Sequence, residues 1–332
     1  MGTLRFLLAI AVMLSHSGVT LLGLNPGVMS VIVFYAISGY VMSALIERHY
    51  SQPARTPHFY LDRLARLYPQ YLLYAAGAAL WLFTIGHPTH YMHLQPTAVE
   101  WWNNLLVVPL NYYMYNGSDR FTLVPPAWSL GAEMFFYALA PWLWRHWRAA
   151  LWLALASLFT QALAWHGILH SDWWGYRLLP GVLWVFVLGM AMQRFQKTQP
   201  HRARQLGWLT PLLAMGVGGY LYVTGMLSQP YHREVLLGLA LAIPLIQFLT
   251  RSPSTIAARY MPMDQRLGDL SYGIFLNHFL LIWWLDLPPS PAPWQWGVLI
   301  ATSIILSALS QRLIEQPVLR WRRRWRRGKA TP

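Results

Sequence analysis

The sequence predicts an all-α polytopic membrane protein: a bundle of about ten transmembrane helices with both termini in the cytoplasm. Three observations carry that prediction. Charged residues make up 11% of the chain and hydrophobic ones 56%, whereas a soluble chain carries roughly a quarter charged residues; one water-soluble core cannot hide so much apolar surface. Ten stretches approach the ~20 mostly apolar residues that a membrane crossing needs. The Lys and Arg residues gather on alternate joints between those stretches, twenty against three, and such residues accumulate on the cytoplasmic side.

The ten stretches are 4–24, 28–46, 67–86, 128–144, 149–166, 177–194, 206–226, 234–250, 268–286 and 295–316. The basic joints are 47–66, 145–148, 194–205, 251–266 and 317–332, while the opposite joints hold Arg120, Arg177 and Arg233. The first span therefore runs from the inside outward. We divide the chain into a membrane domain, 1–317, and a basic cytoplasmic tail, 318–332, whose "RWRRRWRRGK" suits anionic lipid. That placement explains the net charge of +14, so nucleic acid is not an expected partner. The absence of cysteine excludes disulfides, thiolate nucleophiles and Cys-ligated metals together. Chemistry must rest on His, Ser, Tyr or carboxylate.

The first span, "LRFLLAIAVMLSHSG", carries Arg5 at one end and His16 well inside. Eleven residues make almost three full turns, so the two side chains share one face, roughly 16 Å apart along the axis. A cleaved signal peptide is the competing reading of this stretch, and the apolar character of the remaining chain opposes it. An ionisable residue at membrane depth is read as functional; the bland reading is a snorkelling Arg and a buried, hydrogen-bonded His. In "FYLDRLARLYPQY", Arg63 and Arg66 stand three apart on the inner side. Two guanidinium forks there suit phosphate, with a topology anchor as the alternative.

The outer joint 87–127 contains "NNLLVVPLNYYMY", too short to span and interrupted by Pro109, hence interfacial or re-entrant. It also holds His87, His90 and His93. Their spacing would suit zinc, but Pro88 disturbs the helix that would align them, and no metal is expected. The fourth span opens "PPAWSLGAEMFFYALAP", placing Ser129 four residues before Glu133 on one face. A carboxylate at that depth must be paired or protonated, and His16 is its expected partner. In the ninth span, "LGDLSYGIFLNHF" sets Ser271 and His278 seven apart and nearly eclipsed; "LIEQPVLR" puts Glu315 and Pro317 where the tenth span leaves. Trp residues gather at both membrane faces as an aromatic belt requires, and Trp128 alone is kept as a possible acceptor contact.

These stretches together resemble the membrane-bound acyltransferase-3 family, whose members acylate cell-surface sugars and related acceptors. The resemblance covers Arg5 to Pro317. The family's Arg-then-ten-then-His falls on Arg5 and His16, and its "SGF" on Ser38, Gly39 and Tyr40. Its Arg-x-x-Arg falls on Arg63 and Arg66, and its Trp-Ser-Leu…Glu on Trp128, Ser129, Leu130 and Glu133. The "LG-x-x-SY…H" block falls on Leu267, Gly268, Ser271, Tyr272 and His278, and the late Glu-x-Pro on Glu315 and Pro317. The chain departs from the pattern at Ile32, where relatives often have Asp, and at Phe6, where they have a small residue. A fused extracellular hydrolase-like domain, present in some relatives, is not recognisable.

The resemblance implies an O-acyltransferase of the inner (plasma) membrane that takes an acyl group, acetyl being expected, from cytoplasmic acyl-CoA. Its acceptor would be a hydroxyl of a glycan or lipid-linked glycan, and a homo-oligomer is an open possibility. On this reading Arg5, Arg63 and Arg66 bind the donor. His16 acts as general base or carries the acyl group itself, Glu133 orients His16 or meets the acceptor, and Trp128, Ser129, Ser271 and His278 contact substrate. The rival is a transporter or flippase, for which the paired halves with interrupted helices common in that class are not evident.

Overall fold

The computed structural model describes residues 1–250, 255–289 and 291–321; the predicted basic tail lies outside them beyond Trp321. Among the described residues there is no strand, only isolated bridges at Leu21–Leu24 and Thr89–Met92. Twelve α-helices follow one another: α1 (Gly2–His16), α2 (Pro26–His49), α3 (Thr56–Thr84), α4 (Ala98–Leu106), α5 (Tyr113–Asn116), α6 (Ala127–Arg145), α7 (Trp147–Trp165), α8 (Leu179–Thr198), α9 (Pro200–Val223), α10 (His232–Thr250), α11 (Thr255–Trp284) and α12 (Pro293–Ser310). Each of the ten apolar stretches falls on one of the longer helices, and α4 and α5 are short pieces within the outer joint. Among the described residues five segments are long and apolar enough to cross a membrane: Pro26–His49, Trp173–Thr198, Pro200–Val223, His232–Thr250 and Pro293–Trp321. The other five predicted spans fall on α1, α3, α6, α7 and α11.

The first helix is shorter than its apolar run. Sequence periodicity carries it to residue 24, but α1 ends at His16. Gly18 takes φ +83° and Gly23 φ +75°, a left-handed region that glycine enters without penalty and that commonly ends helices. Leu21 and Leu24 then exchange backbone hydrogen bonds of 2.9 Å, which closes the turn. A Cβ at Gly18 would lie 2.7 Å from the Pro289 carbonyl oxygen, so the chain must be bare there. His16 is the last residue of α1, not a mid-helix residue.

Two compact units divide the helices. One holds Val19–Pro53 with Gly131–Pro262, the other Gly2–Gly18, Ala54–Leu130 and the chain from Met263 onward. In the first unit α2 packs on α8 and α10, α8 also on α7 and α9, and α9 on α10. Small residues let backbones approach where lipid supplies no hydrophobic drive between helices. A Cβ on Gly39 would fall 1.9 Å from the Phe186 oxygen, and one on Gly189 2.0 Å from the Ala36 oxygen. Polar side chains cross the same seam: Ser43 donates to Gln193 (2.7 Å), Gln193 to Glu47 (2.7 Å) and Tyr40 to Gln196 (2.7 Å). Such bonds average about 0.6 kcal/mol each in membranes, so close packing carries more of this contact than they do.

In the second unit α1 and α11 run parallel and in register. The Gly2 N–H donates to Asp264 at 2.9 Å, and at the far end His16 meets His278, with the sequence offset 262 at both places. Helices α3 and α12 complete this unit through buried polar contacts. Tyr272 donates to the Leu67 carbonyl (2.9 Å) and Ser307 to that of Leu270 (2.7 Å), while Tyr74 and Ser310 share a hydrogen bond of 2.6 Å. Ser303, Ser307 and Ser310 are all buried and, at helical spacing, form one polar stripe along α12.

Candidate active site

His16 and His278 form the centre of the second unit. His16 Nδ1 lies 3.1 Å from His278 Nε2, and His278 Nδ1 lies 3.2 Å from the Ile274 carbonyl. The ring planes are 13° apart with centroids at 5.1 Å, a separation that fits rings joined edge to edge better than rings laid face to face. A carbonyl only accepts, so His278 Nδ1 carries a proton; in the neutral ring Nε2 then bears the lone pair and accepts from His16 Nδ1–H. By elimination His16 Nε2 is the basic nitrogen. This tautomer assignment follows from the bonding pattern. His278 is fully buried whereas His16 is exposed. Phe279 backs both rings, at 4.9 Å from His16 and 5.1 Å from His278. The sequence reading gives His278 to the substrate; the structure shows it hydrogen-bonded to His16.

Arg63 and Arg66 are met by carboxylates. Arg66 pairs with Glu315, and Arg63 with the neighbouring, fully buried Asp62. Arg66 also lies over the Tyr272 ring (5.6 Å), and Arg63 over Phe59 (6.0 Å). Arg66 is the hydrogen-bonded partner of Glu315, and Arg5 and Asp269 are further charges within its electrostatic reach. Glu315 closes a π-helical turn, Gln311–Glu315, at the end of α12; such a turn displaces a side chain from its regular position and recurs at functional sites. Its Oε2 is buried without a hydrogen-bond partner. The sequence reading missed Asp62 and the partnership of Arg66 with Glu315. Only the adjacency of Asp62 and Arg63 was legible.

In the first unit Glu133 Oε1 accepts from Ser38 (2.6 Å) and Tyr137 (2.5 Å). Ser38, Gly39 and Tyr40 thus each have a separate task on α2: holding Glu133, admitting α8 and bonding Gln196. Ser129 donates to the Pro126 carbonyl (3.0 Å) and Ser271 to that of Gly268 (2.7 Å), so both hydroxyls bond local backbone. Trp128 is partly exposed. Among the described residues no group of three His, Asp or Glu side chains is placed to hold a metal. His93 bonds Glu100 at 2.9 Å instead, where Glu100 and Thr97 form the capping box of α4.

Helices able to cross a membrane, two hydrogen-bonded imidazoles and a chain without cysteine mark a membrane protein whose chemistry rests on His, Ser, Tyr or carboxylate. The acyltransferase-3 model, described as an acyltransferase domain, matches residues 2–312, and the chain belongs to that family. It is a membrane acyltransferase, which decides against the transporter reading. The chain is 25% identical to nodulation protein 10 of Rhizobium leguminosarum bv. viciae, covering 90% of this chain and 83% of that one. It is 28% identical to the exopolysaccharide production protein ExoZ of Rhizobium meliloti, covering 77% of each. To the peptidoglycan O-acetyltransferase OatA of Listeria monocytogenes it is 24% identical, over 95% of this chain and 54% of that protein. No solved structure matches.

Proposed function

We propose that this protein is an integral O-acyltransferase of the inner (plasma) membrane that moves an acetyl group from cytoplasmic acetyl-CoA to a hydroxyl of a cell-surface or exported glycan. The observation that carries the reading is the hydrogen-bonded chain from the Ile274 carbonyl through His278 to His16. It fixes the tautomer that a general base needs. Glycan as acceptor is supported by the names of the exopolysaccharide and peptidoglycan relatives.

His16 Nε2 takes the proton of the acceptor hydroxyl as its oxygen attacks the thioester carbonyl. The C–O bond forms, the C–S bond breaks, and the imidazolium returns its proton to the departing thiolate. His278 Nε2 accepts from Nδ1–H throughout and steadies the transient positive charge. Arg5, Arg63 and Arg66 receive the donor phosphates, which compete with Glu315 and Asp62 for the guanidinium forks. Glu133, held by Ser38 and Tyr137, is an acceptor contact of the first unit, and Trp128, Ser129 and Ser271 are substrate contacts of the second.

Ten crossings with both ends inside follow from the charge asymmetry; a reporter active only in the cytoplasm, fused at residue 332, should give signal, and silence reverses the orientation. The chemistry is tested in membranes of expressing cells supplied with acetyl-CoA labelled in the acetyl group. His16→Ala should insert at normal abundance and lose label transfer to surface glycan by about 10²–10⁴-fold. His16→Asn should fail similarly, since an amide takes no proton at neutral pH. Near-normal transfer by either variant removes His16 from the mechanism.

A further inference from the structure

We propose that Asp264 is a positioning residue for acyl transfer: by capping the first turn of α1 from the neighbouring helix α11, it sets the register that brings His16 against His278. The inference rests on that histidine pair being the proton-transfer machinery. Asp264 Oδ2 accepts from the Gly2 N–H (2.9 Å), and Oδ1 accepts from both the Thr3 N–H and the Thr3 hydroxyl (2.8 Å each). The first N–H groups of a helix lack intrahelical partners and are ordinarily met by a side chain just upstream in the same chain segment. A local cap ties a helix end to its own loop. A cap arriving from 262 residues away ties one helix to another.

The offset between the helices is identical at the cap and at the histidine pair, so both contacts express a single register, about 21 Å apart along the axis. The bare glycine contact at the same end does not define it. Gly2 faces Gly268, where a Cβ would lie 2.7 Å from the Gly2 Cα; two bare backbones allow close approach but do not interlock. His16 is the exposed last residue of α1, and the end of a helix frays. A slip of one residue moves a side chain 1.5 Å along the axis and turns it by 100°, enough to carry His16 off its partner. Burial disfavours the charged form of Asp264, yet the bonds from Thr3 and Gly2 outweigh it and hold the carboxyl well below the usual carboxylate range.

The test compares Asp264→Ala, Asp264→Asn, Asp264→Glu and Thr3→Val at equal membrane abundance, using labelled acetyl-CoA. Asp264→Ala should lower kcat by roughly 10²-fold, as for an ångström-scale misplacement, with KM for acetyl-CoA unchanged. Asp264→Glu should recover part of the loss, and Asp264→Asn and Thr3→Val should be intermediate. In a His278→Ala background the same Asp264→Ala change should cost less than a further twofold, because its effect travels through the pair. The absence of native cysteine permits a second readout that does not need activity. Ala9→Cys with Ser271→Cys, two buried positions at the same offset, should join through a short thiol-specific linker and lose that join when Asp264 becomes Ala. Wild-type turnover by Asp264→Ala, full additivity with His278→Ala, or an unchanged cross-link overturns the positioning role. Wild-type turnover by His278→Ala alone overturns the histidine reading beneath it.

Discussion

His16 Nδ1 and His278 Nε2 stand 3.1 Å apart, and the carbonyl of Ile274 on the far side of His278 decides which of the two nitrogens carries the proton. A histidine whose tautomer is fixed by a second ring behaves differently from one oriented by a carboxylate. The second ring adds no negative charge, so it steadies an imidazolium less while holding the same direction. His278→Ala should therefore cost less than His16→Ala, on the order of 10- to 100-fold, as for groups that orient a reactive imidazole. His278→Gln, whose carbonyl oxygen is able to accept from His16 Nδ1–H, should retain more activity than the alanine variant. Steady-state turnover at matched abundance checks the order; Gln falling below Ala contradicts the tautomer assignment.

Arg66 and Glu315 pair in a largely buried setting, with side chains 18% and 3% exposed. Removing one partner strands a charge, which costs about 3–5 kcal/mol, whereas replacing both with apolar residues of similar volume is often neutral. Arg66→Met alone should lower the thermal midpoint in detergent, and Arg66→Met with Glu315→Leu should restore it. The double variant should still show a raised KM for acetyl-CoA, because the phosphate-binding fork is gone. A double variant with ordinary donor affinity returns Arg66 to a structural role.

Glu133 is fixed by two short hydroxyl bonds, and a hydrogen bond to a charged group contributes roughly 1.5–3 kcal/mol. Ser38→Ala and Tyr137→Phe should each reduce transfer, and Glu133→Gln should reduce it further. All three should leave KM for acetyl-CoA alone, since the donor side lies with the arginines. Equal effects on donor KM and turnover would place Glu133 with the donor instead.

The cap of α4 should respond to acid in one direction. Burial raises the Glu100 carboxyl, but bonds from His93 and Thr97 outweigh it, leaving its titration below the ordinary 4.5. A depressed carboxylate contributes its stability above the unfolded value and loses it as pH falls through the folded one. Hydrogen exchange across Ala98–Leu106 should stay flat from pH 8 to about 5 and quicken only below pH 4.5, after correction for the intrinsic exchange rate. Thr97→Ala should remove about 1 kcal/mol of local protection at neutral pH.

Much of the fold was legible because membrane crossing leaves its mark on composition. A helix that meets lipid must be apolar over its length; among the described residues five segments meet that requirement, and the other five apolar stretches also fall on helices, including those that carry Arg63, Glu133 and His278. Where the backbone departs from regular periodicity, the signal fails. The apolar run past His16 gives no warning that Gly18 ends α1, since glycine is tolerated inside membrane helices and the decisive contact, Pro289, is 271 residues away.

By itself the sequence determined the membrane class, the face shared by Arg5 and His16, the close spacing of the Arg63 and Arg66 guanidinium forks and the set of residue types available for chemistry. Those follow from local periodicity and charge, which each segment displays alone. Only the tertiary structure decided the pairings: His16 with His278, Arg66 with Glu315, Glu133 with Ser38, and the first turn of α1 with Asp264. A buried polar atom takes the nearest suitable partner in space. Once helices far apart in the chain lie side by side, that partner is set by register and crossing geometry, which no stretch of sequence contains.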